Sequence, residues 1–202
     1  MPVQVEFVFD FLSPYAYLAR FGLTRLADRY GAQIAYTAVD LQVLKRLVGN
    51  TGPANRDIPV KHRHLRLDLK RWADLYRVPF VPPSGYGSGP LNCGAFFSAD
   101  AGAVARYVEL AWDEVWGKGG NMADDKLLAR VAARMGWNQA EFLDFVNSPA
   151  AADRLRKQTD MSADRGIFGV PSMLIDGEMW WGNDRLQFVE EYLKKGSHAE
   201  KA

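Results

Sequence analysis

The sequence is short of the residues that usually carry thiol or metal chemistry. Its 202 residues include one cysteine, Cys93, so no intrachain disulfide can form and no C-x-x-C pair is available for dithiol exchange. The three histidines, His62, His64 and His198, show no ligand spacing with Cys93 or with carboxylates, and no metal is expected. No apolar run approaches about 20 residues, so no segment is expected to span a bilayer. The opening MPVQVEFVFDF has no basic start followed by an apolar signal core and cleavage site; a cytoplasmic protein is expected. An excess of one charge is lacking too. The 25 Lys and Arg against 24 Asp and Glu leave a net +1, which indicates neither a nucleic-acid partner nor an anionic membrane.

What is present is ample apolar material. Hydrophobic residues make up 48%, enough to close a core without staples. Six tryptophans fit either a large core or an aromatic-lined pocket.

The stretch FVFDFLSPYAYL, residues 7 to 18, reads as a buried strand (Val3 to Phe9) running straight into a helix. Ser13 suits the N-cap and Pro14 the first turn. The backbone N–H groups at such a helix start favour an anion, a thiolate included. Tyr15, Leu18, Leu23, Leu26 and Tyr30 follow helical spacing to a cap at Gly31, and Gln33 to Val39 reads as a second strand.

The middle of the chain reads as helical. Leu41 to Val48 is a short helix, residues 49 to 59 a loop, 60 to 76 a helix and Val78 to Pro90 a loop. Residues 93 to 116 read as one long helix. Gly136 ends the next helix, Asn138 with Glu141 opens another, and Ser148-Pro149 opens one that runs to about Asp164. Strand character returns at Pro171 to Ile175. Asp176-Gly177 is a hairpin signal, Met179 to Trp181 the returning strand, and Asn183 or Asp184 the cap of a last helix. The tail from Gly196 is expected to fray.

Strands at the two ends must share one sheet, since neither end can bury a strand alone. The expected fold is therefore α/β: a thioredoxin-like fold with a large inserted all-helical domain. Residues 1–40 and 165–202 form the discontinuous thioredoxin-like domain and 41–164 the insertion. In that arrangement the reactive group sits at the start of the first helix, here Ser13, near a usually cis proline, here Pro171. Serine has no pKa near neutrality, so it can only hydrogen-bond a thiolate that arrives with a ligand.

Four segments, FDFLSPYAYLA at 9 to 19, GNTGPANRD at 49 to 57, DLKRWADLY at 68 to 76 and FGVPSMLIDGEMWWGNDRL at 168 to 186, resemble the 2-hydroxychromene-2-carboxylate isomerases. These lie in the kappa-class glutathione-transferase-like branch of the thioredoxin superfamily. The resemblance implies a homodimeric, glutathione-dependent isomerase of naphthalene and polycyclic aromatic breakdown, acting on an aromatic 2-oxo-carboxylate. Reversible thiolate addition to a C=C conjugated with a ketone would permit rotation and then elimination. A kappa-like transferase that conjugates electrophiles is the alternative, and a non-catalytic glutathione- or peptide-binding module a third reading.

The resemblance implies a role for ten residues, each of which also has a plainer reading. Ser13, otherwise only an N-cap, would be catalytic and bind the glutathione sulfur. Val170, otherwise an ordinary strand-entry residue, would pair through its backbone with the cysteinyl portion. Trp181, Gly182, Asn183 and Asp184, otherwise a turn and cap, would hold the γ-glutamyl end. Lys45, Asn55 and Arg56, otherwise solvated, would face the substrate, with Tyr86 as an aromatic contact. His64 stands where the family carries tyrosine, and Gly89-Pro90 where it carries basic residues, which bears on substrate size. Lys61 and Asp68 read equally well as exposed charges. Cys93 reads as a small buried residue.

Overall fold

A computed structural model describes residues 2–98 and 100–199. Four strands form one sheet in the order β2-β1-β3-β4. β1 (Gln4–Phe9) pairs in parallel with β2 (Gln33–Ala38) and antiparallel with β3 (Ser172–Ile175), which pairs antiparallel with β4 (Glu178–Trp181). The crossover from β1 to β2 is α1 (Pro14–Tyr30), capped by Ser13 and closed by Gly31 at φ 66°. The β3–β4 turn has positive φ at both Asp176 and Gly177, the geometry that matches strand twist.

Side chains alternate across β1 as a two-sided strand requires. Val5, Phe7 and Phe9 face a large cluster built with Leu18, Leu23, Trp112 and Val108, while Val8 faces a smaller one of Val39, Leu44, Ile167 and Val170. Phe7, Phe9 and Phe11 all meet Trp112, with ring centroids 5.1 to 6.2 Å apart. Each such buried ring contributes about 1.5–3 kcal/mol. The large cluster runs without a break from the sheet into the helices of the middle segment.

Those helices are α2 (Leu41–Leu47), α3 (Pro59–Tyr76), α4 (Gly89–Gly94), α5 (Ala101–Trp112), α6 (Asp125–Met135), α7 (Gln139–Val146) and α8 (Pro149–Asp164). A turn of 3₁₀ helix at Asn55–Asp57 interrupts the expected loop. The long helix expected over 93 to 116 is broken. α4 ends at Gly94, and α5 restarts where Asp100 accepts hydrogen bonds from Gly102 N and Ala103 N. The break lets α4 bring Asn92 into the core. It also brings the α4 backbone so close to Tyr107 that a Cβ on Gly94 would lie 2.1 Å from the tyrosine oxygen. α5 then widens into a π turn over Asp113–Gly117, from which Trp116 Nε1 donates to Phe11 O at 2.8 Å.

The last helix also departs from expectation. Neither Asn183 nor Asp184 caps it. Asn183–Arg185 form a 3₁₀ turn leading into α9 (Leu186–Ala199), because Asn183 is turned inward. α9 continues past Gly196, where fraying was expected, to Ala199. One glycine costs only about 1 kcal/mol relative to alanine, and the helix is anchored by buried Leu186, Val189 and Leu193. Residues 200 to 202 of the expected tail lie outside the described residues.

Candidate active site

The exit of β1 is built as a fixed corner. Asp10 is buried and accepts from Leu12 N and Leu41 N, both at 2.8 Å, and from Asn92 Nδ2 at 2.9 Å. Burial pushes its carboxyl above the usual range; the bonds from Leu12, Leu41, Asn92 and Ser88 oppose that. Ser13 N donates to Asp10 O at 3.0 Å, so the corner sets where α1 begins.

Ser13 itself is 5% exposed. Its Oγ accepts from Ala16 N at 3.2 Å, which uses a lone pair and not the proton. Among the described residues the Ser13 O–H meets no acceptor. It is a hydrogen-bond donor at a helix start, the polarity that suits an anionic ligand atom.

The Val170–Pro171 bond is cis. With Phe7 opposite Met173 and Val8 opposite Ser172, the antiparallel register carries Pro171 and Val170 alongside the exit of β1. The Val170 side chain is buried in the smaller apolar cluster. Among the described residues nothing pairs with its backbone N–H or C=O, which leaves that peptide for an extended partner.

The end of β4 folds onto this edge. Gly182 N donates to Pro171 O at 2.9 Å, and Trp181 lies over Gly169, where a Cβ would fall 2.7 Å from the indole nitrogen. Trp181 is half exposed and edge-packed on Phe168, with centroids 5.0 Å apart. Gly182 adopts φ 115°, ψ 148°, a conformation close to glycine-only. The exposed Asp184 pairs with Arg185 at 2.7 Å. Asn183 differs from its neighbours: it is 2% exposed, accepts from Tyr76 Oη at 3.0 Å, and leaves its Nδ2 buried without a partner. Its Oδ1 ties this turn to α3, while among the described residues its Nδ2 remains an unpaired donor.

A cavity of about 490 Å³ opens next to the start of α1, lined by Tyr15, Asn55, Val60, Lys61, His64 and Leu65. Of the expected substrate-side residues it contains Asn55. Arg56 and Tyr86 stand together, the guanidinium 5.9 Å from the ring centroid, and Lys45 is half-buried on α2, beside Leu44 of the smaller apolar cluster. Tyr15, Lys61 and His64 were not among the expected site residues. The available signal was the i, i+3, i+4, i+7 stripe of Lys61, His64, Leu65 and Asp68 on α3. Asp68 is no isolated surface charge: Tyr15 Oη donates to its Oδ2 at 2.6 Å. Burial, that hydrogen bond and the charges of Asp68 and Asp184 together hold the Tyr15 phenol far above its ordinary range.

Cys93 lies in α4, buried, and burial pushes its thiol up to about 11. It stays protonated at neutral pH. Among the described residues no three His, Cys, Asp or Glu are placed to hold one metal ion, and no helix is long and apolar enough to cross a membrane.

Comparison with known proteins agrees over nearly the whole chain. Residues 4–194 match the family of the DsbA-like thioredoxin domain. The chain is 45% identical over 188 residues to a 2-hydroxychromene-2-carboxylate isomerase of Pseudomonas sp. (strain C18), covering 93% of this chain and 89% of that one. A solved 2-hydroxychromene-2-carboxylate isomerase superposes with a TM-score of 0.94 at 42% identity, covering 98% of this chain and 99% of that one. The human glutathione S-transferase kappa 1 is 24% identical over 209 residues, covering 96% of this chain and 92% of its own.

Proposed function

The chain belongs to the 2-hydroxychromene-2-carboxylate isomerase family and is an isomerase with a DsbA-like thioredoxin fold, and we propose that it interconverts 2-hydroxychromene-2-carboxylate and trans-o-hydroxybenzylidenepyruvate with glutathione as its thiol cofactor. One observation carries the glutathione reading. A serine hydroxyl whose proton is uncommitted among the described residues stands at the start of α1, near a cis-proline edge whose Val170 peptide is unpaired among them, while the chain's single cysteine is buried in α4. These polar groups fit a thiol tripeptide: a hydroxyl that donates to sulfur, an open peptide for the cysteinyl backbone, and the Asp184 carboxylate that accepts from the γ-glutamyl ammonium.

Bound against Ser13 and the Val170 peptide, glutathione would supply the thiolate nucleophile that reversible addition to a conjugated C=C requires. The protein's own residues do the rest. Ser13 O–H and the Tyr15 N–H, the one first-turn amide of α1 without a partner among the described residues, favour the ionised sulfur over the thiol. The 41–164 segment supplies the substrate side. There Lys45, Asn55 and Arg56 meet the carboxylate and the oxygen that gains charge, and Tyr86, held beside Arg56, gives an aromatic face. Trp181, lying over Gly169, shields the edge where the tripeptide would lie.

The test is turnover of trans-o-hydroxybenzylidenepyruvate by purified protein with and without glutathione. Equilibration is expected only with the thiol, and Ser13→Ala should slow it by about 10²-fold or more. Undiminished turnover without thiol would overturn the mechanism. A product that retains glutathione by mass spectrometry would instead mark a transferase.

A further inference from the structure

We propose that Tyr15 reads the hydroxyl group of the substrate, and that Asp68 is a positioning residue that fixes the direction of the Tyr15 proton. The inference rests on the functional reading above and sharpens it at one wall of the site.

Tyr15 follows Ser13 by two residues and lines the 490 Å³ cavity beside the α1 start. Its O–H is committed to Asp68 Oδ2 at 2.6 Å. A phenol oxygen whose proton is committed can only accept a further hydrogen bond. The phenol also stays protonated, because burial, the bond to Asp68 and two nearby carboxylates all disfavour its ionisation. The other polar members of the wall differ. Lys61 can only donate, and Asn55 and His64 can donate as well as accept.

The substrate has the complementary distribution. Its carboxylate and 2-oxo oxygens accept hydrogen bonds, which Lys61, His64 and Asn55 of the cavity wall can donate in addition to Lys45 and Arg56. The ring-open isomer also carries an ortho phenol; on ring closure that oxygen becomes the ring ether oxygen, and the hemiketal hydroxyl is the former 2-oxo oxygen. The phenol of the open isomer is a donor, and Tyr15 Oη is the acceptor held ready for it. Asp68 lies one turn beyond His64 and Leu65 on the same face of α3, so one helix carries both the donors and the residue that orients the acceptor.

The experiment compares three compounds: the ortho-hydroxyl substrate, trans-benzylidenepyruvate without the hydroxyl, and the ortho-methoxy analogue, which can only accept. KM and competitive inhibition constants are measured for wild type, Tyr15→Phe and Asp68→Ala. The wild type should favour the hydroxyl compound over the unsubstituted one by about tenfold, the value of one good hydrogen bond. Tyr15→Phe should bring that ratio close to one. Asp68→Ala frees the Tyr15 proton to turn into the cavity, so the methoxy compound should gain relative to the hydroxyl compound by about threefold or more. A purely structural Tyr15–Asp68 pair would weaken all three compounds alike and leave the ratios unmoved. Turnover of the hydroxyl compound with an unchanged ratio in Tyr15→Phe overturns the inference alone. No turnover of that compound by the wild type overturns the functional reading with it. Should Asp68→Ala fail to fold, Tyr15→Phe still decides.

Discussion

Asn92 reaches Asp10 across 82 residues of chain, its Nδ2 donating to Asp10 Oδ1 at 2.9 Å while its own Oδ1 accepts from Phe11 N at 3.1 Å. The same amide donates to Val39 O at 3.1 Å. One side chain thus joins the ends of β1 and β2 to α4, directly below the point where Ser13 starts α1. Asn92→Ala leaves the Phe11 N–H and part of a fully buried carboxyl unpaired, which should cost about 2–4 kcal/mol. Urea unfolding measures the loss. Burial raises the Asp10 carboxyl above its unfolded value, so its contribution is full at low pH and falls as pH rises toward the folded value. The deficit of Asn92→Ala should therefore be smaller at pH 4 than at pH 7.

Glu6 gives the opposite pH dependence. On β1 it accepts from both guanidinium nitrogens of Arg165 and from Thr37 Oγ1. The Arg165 bond, opposed by burial and aided by Thr37, holds its carboxyl below the usual range. A depressed carboxyl contributes stability above its unfolded value, near pH 4.3, and loses it as pH falls through the folded value. Arg165→Ala should lower stability by about 1 kcal/mol at pH 7, a modest amount because the pair is partly solvated. The difference should close as pH falls through the folded value of Glu6, as read from parallel urea titrations of the two proteins.

Gly182→Ala tests the turn at the end of β4. The backbone there, at φ 115°, excludes a side chain, and a Cβ would fall 2.5 Å from Asp184 Oδ1. Relaxing either strain moves Asp184 or breaks the Gly182 N to Pro171 O bond. A loss of about 1–3 kcal/mol in stability is expected. Calorimetry should show glutathione affinity falling by about tenfold, because the displaced carboxylate is the proposed partner of the ammonium.

The parts of this fold that local chemistry dictates were legible in the sequence. Gly31 and Gly136 end helices at φ 66° and 74°, and Asp176-Gly177 makes the hairpin with both residues at positive φ. The two-sided burial of β1 followed from its run of Phe and Val. What could not be read is what depends on partners far along the chain. With the helix broken between α4 and α5, Asn92 of α4 reaches Asp10, a pairing across 82 residues. Asn183 looked like a cap, yet its side chain is held by Tyr76, 107 residues away. Tyr15 looked like a core position on an amphipathic helix; only the approach of α3 gives it Asp68 and a cavity. Local rules place residues on elements, and long-range pairing then decides which polar side chains remain free to meet a ligand.

Ser13 is such a residue, and its two tasks can be separated. As an N-cap it accepts from Ala16 N; as the proposed thiolate partner it donates its proton. Ser13→Asp keeps a capping oxygen, since aspartate is as good an N-cap as serine. It removes the donor and sets a negative charge where the thiolate must sit. Ser13→Ala removes both cap and donor. In thermal unfolding Ser13→Ala should lie about 1 kcal/mol below wild type, and Ser13→Asp, which keeps the cap but buries a carboxylate beside Asp10, should also lie below wild type. Activity should fall in both variants by about 10²-fold or more, and Ser13→Asp lies at or below Ser13→Ala. Ser13→Thr, which keeps both an acceptor and a proton, should retain most of each. If Ser13→Asp kept the wild-type rate, the hydroxyl would matter only as a cap and the donor role would fall.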